Sequence, residues 1–157
     1  MNNGEFEVVS KFCAETPVRL GAMAAELGLE VFRSSLKPDI SGLIEPSSTA
    51  PSGYRIRLNR HEIPERQRFT LAHEIAHYLL HRDYIGGGVV DSVLYRSNLS
   101  SRKEVEANKL AASIIMPLAN VRAERALLED LDDEEAAVVL AQRFRVSLPA
   151  MRIRLGS

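Results

Sequence analysis

The chain has 157 residues, of which 45% are hydrophobic, and a formal net charge of −1. That length fits one ordinary domain with a substantial core and leaves no room for a second full domain. The near-neutral charge provides no overall attraction to nucleic acid or to an anionic membrane.

Cysteine content and apolar runs indicate where the protein is found. The single cysteine, Cys13, excludes an intramolecular disulfide, and we interpret it as a small hydrophobe in an N-terminal helix. No apolar run approaches the roughly 20 residues of a membrane span, and the N-terminus lacks the features of a secretory signal. We therefore expect a cytoplasmic protein with no membrane association.

After the N-terminal helix that contains Cys13, the pattern predicts a further helix and then short strands. Thr16 and Pro17 are typical of a helix start, apolar residues continue at helical spacing to Leu27, and Gly28 is typical of a helix end. Three short segments then favour β structure. They are residues 29–32, 40–44 and 54–58. We expect a small sheet of about three strands.

The C-terminal half is predicted to be mainly helical. Pro64 and the apolar spacing that follows it predict a helix over residues 63–81. Residues 82–101 are expected to form a loop. A second helix is predicted over residues 101–116 because Pro117 cannot continue it, and two or three shorter helices follow. The arrangement is α+β.

The first long helix contains a motif typical of zinc enzymes, His73-Glu74-x-x-His77. Residues at positions i and i+4 lie on one face of a helix, so the two imidazoles can reach one ion at the roughly 2 Å bond length of zinc. Glu74 is displaced around the helix and can reach a zinc-bound water, from which it can take a proton as the water attacks a carbonyl.

A catalytic zinc also needs a third protein ligand. His81 is excluded because it lies about 12 Å along the helix axis from His73, and we place it at the helix end instead. The second helix offers Glu104 and Glu106. We choose Glu104 because Asn108 shares its face and can hydrogen-bond a ligand histidine, whereas Glu106 points to the opposite side.

Two blocks of sequence resemble the ImmA/IrrE family of bacterial metallopeptidases. Residues 68–81 read RFTLAHEIAHYLLH, and residues 104–117 read EVEANKLAASIIMP. The resemblance implies a zincin-like, gluzincin-like domain with Zn²⁺ held by His73, His77 and Glu104, and with Glu74 as the catalytic base.

The chain's pattern indicates a domain organisation, and the resemblance implies a substrate. We expect a metallopeptidase domain over residues 1–128 and a C-terminal helical extension over residues 129–157, packed on the same domain. Family members commonly cleave a helix-turn-helix repressor and so relieve repression of mobile-element or stress-response genes. The implied function is a zinc endopeptidase acting on such a repressor.

Other parts of a peptidase cleft are less defined by sequence. Candidates for the cleft are Tyr84, Tyr95 and His61, which lie in or beside predicted loops. The alternating strand over residues 54–58 could hold an extended substrate by edge pairing.

Two other functions remain open at this point. Residues 140–155 resemble a helix-turn-helix with a basic end, which suggests DNA binding. The opposing interpretation is an amphipathic helix pair whose apolar residues, Val138 and Ile153 among them, turn inward. A third hypothesis is a zinc module that binds a repressor without cutting it, although an intact Glu74 argues against a purely structural site.

Overall fold

The computed structural model describes residues 1–86, 88–92 and 99–156. Its helices are α1 (Asn3–Cys13), α2 (Leu20–Glu26), α3 (Pro64–His81), α4 (Ser101–Ile115), α5 (Leu118–Ala126), α6 (Asp133–Phe144) and α7 (Leu148–Leu155). Its strands are β1 (Glu30–Ser34), β2 (Ile40–Pro46), β3 (Tyr54–Asn59) and β4 (Val89–Ser92). A 3-10 turn, Arg82–Tyr84, directly follows α3. The predicted α+β class is confirmed.

The strands form one sheet in the order β1-β3-β2-β4. β1 runs parallel to β3, and β2 runs antiparallel to both β3 and β4. The three predicted strands are present, and β4 is an additional strand in a segment where we expected a loop. β3 is paired on both sides, so the prediction that residues 54–58 offer a free edge is wrong. In the described ranges, the edges are β1 and β4.

Helix α3 lies against the sheet, and a glycine permits its close approach. A Cβ atom on Gly42 of β2 would lie 2.5 Å from the side-chain Cγ2 of Thr70. It would also lie 3.0 Å from the carbonyl oxygen of Arg57. A larger residue at this position would push α3 away from β2.

Helix α4 packs along α3 through small and branched apolar residues. Ala107, Ala111, Ile114 and Ile115 are buried, and Ser100 caps the helix by accepting a hydrogen bond from the amide of Lys103 at 3.3 Å. Alanines at the contact allow two helices to approach closely. This packing brings the first turn of α4 against the second half of α3.

The helix predicted from Thr16 and Pro17 begins later, at Leu20. Val18 is buried, and its carbonyl accepts a hydrogen bond from Arg68 Nη2 at 2.7 Å. Residues before Leu20 therefore contact α3 instead of forming a first helical turn.

The C-terminal helices share the main core. Phe144 and Met151 are fully buried in the same cluster as Ile75 of α3. Asp132 caps α6 and Ser147 caps α7, so the acidic run ends at a helix start. Ile153 is 76% exposed, which differs from the inward orientation expected for it and for Val138, also exposed.

Within the described residues, every helix falls short of the length or the hydrophobicity that crossing a bilayer requires.

Candidate metal centre

Three residues of the α3 motif are buried, and its two histidines lie one helical turn apart. His73 is 6% exposed, and Glu74 and His77 are fully buried. The rings of the two histidines meet edge to face, with centroids 4.5 Å apart. The helical spacing thus places both imidazoles on one face, as the motif predicts.

Glu104, in the first turn of α4, completes the cluster. Its Oε2 lies 3.3 Å from His73 Nε2, and its Oε1 lies 2.9 Å from His77 Nε2. The three ligand atoms lie within 4.8 Å of one another. The packing of α4 on α3 therefore brings Glu104, and not Glu106, to the two histidines.

The donor set and its spacing fit a zinc ion. Zinc binds imidazole nitrogen and carboxylate oxygen at about 2.0–2.2 Å, so ligands at the corners of a tetrahedron lie about 3.3–3.6 Å apart. The contact of 3.3 Å between His73 and Glu104 matches this spacing, and the 2.9 Å contact of His77 needs only a small side-chain shift. Two histidines and one carboxylate leave a fourth position for water or substrate.

A further histidine lies directly behind His77. His81 is 4% exposed, and its Nδ1 lies 3.1 Å from His77 Nδ1. Burial, together with the nearby His77, lowers the pKa of the His81 imidazole, against the opposing effect of Glu106. His81 is the last residue of α3, as predicted, and its ring is buried there.

Asn108 does not take the place predicted for it. Its side chain is exposed on α4, and His81 is the residue that meets Nδ1 of His77. The helical spacing correctly puts Asn108 one turn after Glu104, but the side chain is directed to solvent.

The other predicted cleft residues lie outside the cluster. Tyr84 is exposed, and Lys103 Nζ lies 4.2 Å from its ring centroid. His61 is exposed, with its Nε2 3.0 Å from Ser35 Oγ at the end of β1. Tyr95 lies outside the described residues.

A groove of about 970 Å³ lies between α2, β1 and the first half of α3. Its lining includes Leu71, Arg68 and Arg145, and none of the three clustered ligand residues. Burial and the neighbouring Arg145 both lower the pKa of the Arg68 guanidinium. The groove is therefore separate from the metal centre, since the α3 residues that line it all precede His73.

The fold and the His-His-Glu cluster together define a metallopeptidase-type domain. The chain belongs to the Peptidase_M78 family, described as the IrrE N-terminal-like domain, whose family model matches residues 24–156. This confirms the resemblance indicated by the two sequence blocks.

Comparison with solved structures finds the same fold elsewhere. A Mycobacterium tuberculosis transcriptional regulator is similar, with a TM-score of 0.61 and 17% sequence identity. The similarity covers 100% of this chain but 48% of the regulator, so the chain spans about half of that protein. A search of curated proteins finds no match.

Proposed function

We propose that the protein is a zinc-dependent endopeptidase. The observation that supports this most directly is the buried cluster of His73, His77 and Glu104, next to the buried carboxylate of Glu74. A purely structural site usually has four protein ligands, whereas three ligands and an adjacent carboxylate are typical of catalytic zinc.

The proposed mechanism assigns a task to each of these side chains. Bound zinc would lower the pKa of a water ligand and polarise a substrate carbonyl. His73, His77 and Glu104 would hold the ion between α3 and α4. Glu74 accepts the proton of the water that attacks the scissile carbonyl, then delivers it to the nitrogen of the leaving amine.

The proposed substrate is a helix-turn-helix repressor, and the proposed location is the cytoplasm, where such repressors act. The family resemblance supports this substrate class. Cleavage would remove the repressor from its operator and release genes of a mobile element or a stress response.

Co-expression with a helix-turn-helix repressor, taken from beside the gene where one is encoded there, tests the proposal. We expect wild type to remove the intact repressor, and Glu74→Gln to lower the cleavage rate by about 10²–10⁴-fold while still binding zinc. Glu65→Gln, the same change in the first turn of α3, is the matched control and should cleave normally. The fragment masses then give the scissile bond. Equal cleavage by wild type and Glu74→Gln would contradict the role of Glu74 as the general base.

A second candidate, repressor binding without cleavage, predicts a different outcome. Wild type and Glu74→Gln would then both capture the repressor intact, in a manner that depends on zinc. The intact Glu74, buried beside the ligands, favours hydrolysis over this alternative.

The structure disfavours direct DNA binding by the C-terminal helices. Arg152 pairs with Glu134, and Arg143 pairs with Glu124. Arg154 Nε donates to the carbonyl of Met116 at 2.8 Å. These three basic residues thus have partners within the protein, which is an argument against a main role in binding phosphates.

A further inference from the structure

His81 contacts His77 on the side of the ring away from the metal ligands. We propose that His81 is a positioning residue: its Nδ1 accepts a hydrogen bond from Nδ1–H of His77 and so directs the Nε2 lone pair of His77 at the metal. The proposal rests on the metal site of the proposed function, but not on the hydrolysis.

The distance and burial support a real hydrogen bond. The two Nδ1 atoms are 3.1 Å apart, within the usual range for nitrogen donors. The rings are 5.3 Å apart at 53°, so they are not stacked face to face. His81 is as buried as the two histidine ligands, and water competes little for this contact.

The chemistry of imidazole fixes the direction of the bond. A neutral imidazole has one N–H and one lone-pair nitrogen. His77 Nε2 faces Glu104 Oε1 at 2.9 Å in the ligand cluster, so metal binding requires the lone pair there and the proton on Nδ1. His81 must then accept at Nδ1, which places its own proton on Nε2.

The surroundings of His81 Nε2 are consistent with a proton on that nitrogen. Its Nε2 lies 4.0 Å from Glu106 Oε1, and within the described residues it has no hydrogen-bond partner. A carboxylate at that distance attracts an N–H group and repels a lone pair. Glu104 and Glu106, both on α4, therefore face the ligand histidine and its positioning residue respectively.

The same arrangement is a general way to tune a metal ligand. A hydrogen bond to the second nitrogen of a ligating histidine fixes the tautomer and the ring orientation and raises the basicity of the ligating nitrogen. Removing such a partner typically costs 10–100-fold in metal affinity. An apolar residue at position 81 could fill the space but would offer no acceptor.

Zinc affinity measured by competition with a chromogenic chelator tests the proposal on the full chain. We expect His81→Leu to weaken zinc binding by about 10–100-fold. We expect His81→Asn to stay within about 3-fold of wild type, because its amide oxygen reaches the position of Nδ1. His61→Leu is the matched control at an exposed histidine and should bind as wild type does.

The outcomes separate a chemical role from a packing role. Wild-type affinity in His81→Leu overturns the proposal. Equal loss in the Leu and Asn variants also overturns it, since ring shape and not the acceptor would then matter. Thermal unfolding of the zinc-free variants checks the fold, and His81→Phe replaces His81→Leu if the latter does not fold.

Comparing zinc binding with repressor cleavage distinguishes failure of this proposal from failure of the proposed function. His73→Ala should abolish zinc binding in the same assay, which verifies the site itself. If wild type binds zinc and His81→Asn rescues affinity while no repressor is cleaved, the hydrolytic function fails and the role of His81 stands.

Discussion

Cys13 lies half-buried at the end of α1, with its Sγ 3.6 Å from the carbonyl oxygen of Ile114. Burial raises the pKa of this thiol from 9.0 to about 11. The thiolate is the reactive form of cysteine, and a buried thiol with a high pKa is typical of a packing residue. This agrees with its interpretation as a small hydrophobe.

We therefore expect Cys13 to react slowly with iodoacetamide. At pH 8 the thiolate fraction should be about 100-fold below that of an ordinary exposed thiol, and alkylation should slow by a similar factor. Mass spectrometry over a time course measures the rate, with the urea-unfolded protein as the fast control. Alkylation of the folded protein at the unfolded rate would contradict the buried position.

Arg145, the residue that ends α6, has a backbone conformation that favours glycine. Its φ is 56° and its ψ is 47°, in the left-handed region. Most side chains are strained there by about 1 kcal/mol, and helices commonly use glycine at this point. Arg145 also lies near Arg68, whose pKa it lowers.

We expect Arg145→Gly to stabilise the protein by about 1 kcal/mol. Arg145→Ala is the matched control, because it removes the same guanidinium but keeps the Cβ atom and its strain. Urea denaturation of both variants isolates the backbone contribution. If the Ala variant gains as much stability as the Gly variant, the gain comes from charge and not from φ.

At the scale of elements, Glu5 joins the start of α1 to the end of α3. Its Oε1 accepts from the amide of Asn2 at 2.9 Å, and its Oε2 pairs with Arg82, which directly follows α3. Arg82 also donates to the hydroxyl of Tyr78 at 3.1 Å. The carboxylate thus completes a helix cap and an ion pair between two elements far apart in sequence.

This pair makes stability depend on pH. Burial alone raises the pKa of Glu5, but Arg82 and the amide of Asn2 together outweigh it and lower the pKa below 4.5. A depressed pKa in the folded state means that the stabilisation is complete above pH 4.5 and is lost as pH falls through the lower, folded-state value.

We expect Glu5→Gln to cost about 1–3 kcal/mol at pH 7, where the wild-type carboxylate is charged. The difference between wild type and variant should shrink as the pH is lowered below 4.5. Urea denaturation across this range measures it, and Glu7→Gln on an exposed position of α1 is the control. A difference that does not change with pH would exclude the ion pair as its source.

How much of the fold could be predicted from the sequence depends on the length and regularity of each element. α3 and α4 were predictable because each is long, has an apolar stripe, and begins with Pro64 or a capping serine. β4 is four residues long and follows a glycine run, so its pattern resembles a loop. The start of α2 was missed because Val18 makes a tertiary contact with Arg68 that no local pattern shows.

In the candidate site, too, local sequence patterns predict some residues, and tertiary contacts determine others. His73 and His77 could be paired from spacing along one helix. Glu104 was indicated by its shared face with Asn108 and by the resemblance of residues 104–117 to the family. Asn108 lies one turn after Glu104, as the helical spacing predicts, but its side chain is exposed. The sequence excludes His81 as a metal ligand and places it at the helix end, but its i+4 spacing from His77 could also have indicated its contact with the second ring nitrogen.

At the scale of the whole molecule, the metal centre lies where α3 and α4 meet above the sheet. His73 and His77 belong to α3, which packs on β2 and β3, and Glu104 belongs to α4. An ion bound to all three residues would join the helices at one point. Zinc that binds the folded state more tightly than the unfolded chain must raise the free energy of unfolding.

We expect zinc at 100 times its Kd to stabilise wild type by about 2.7 kcal/mol and to raise Tm by about 5–10 °C for a chain of this size. Thermal unfolding with zinc and with EDTA measures the shift. Glu74→Gln should keep it, because Glu74 is not among the three ligands, whereas His77→Ala should lose it. If His77→Ala retained the full shift in Tm, zinc would be binding elsewhere, and the cluster between α3 and α4 would not be the metal centre.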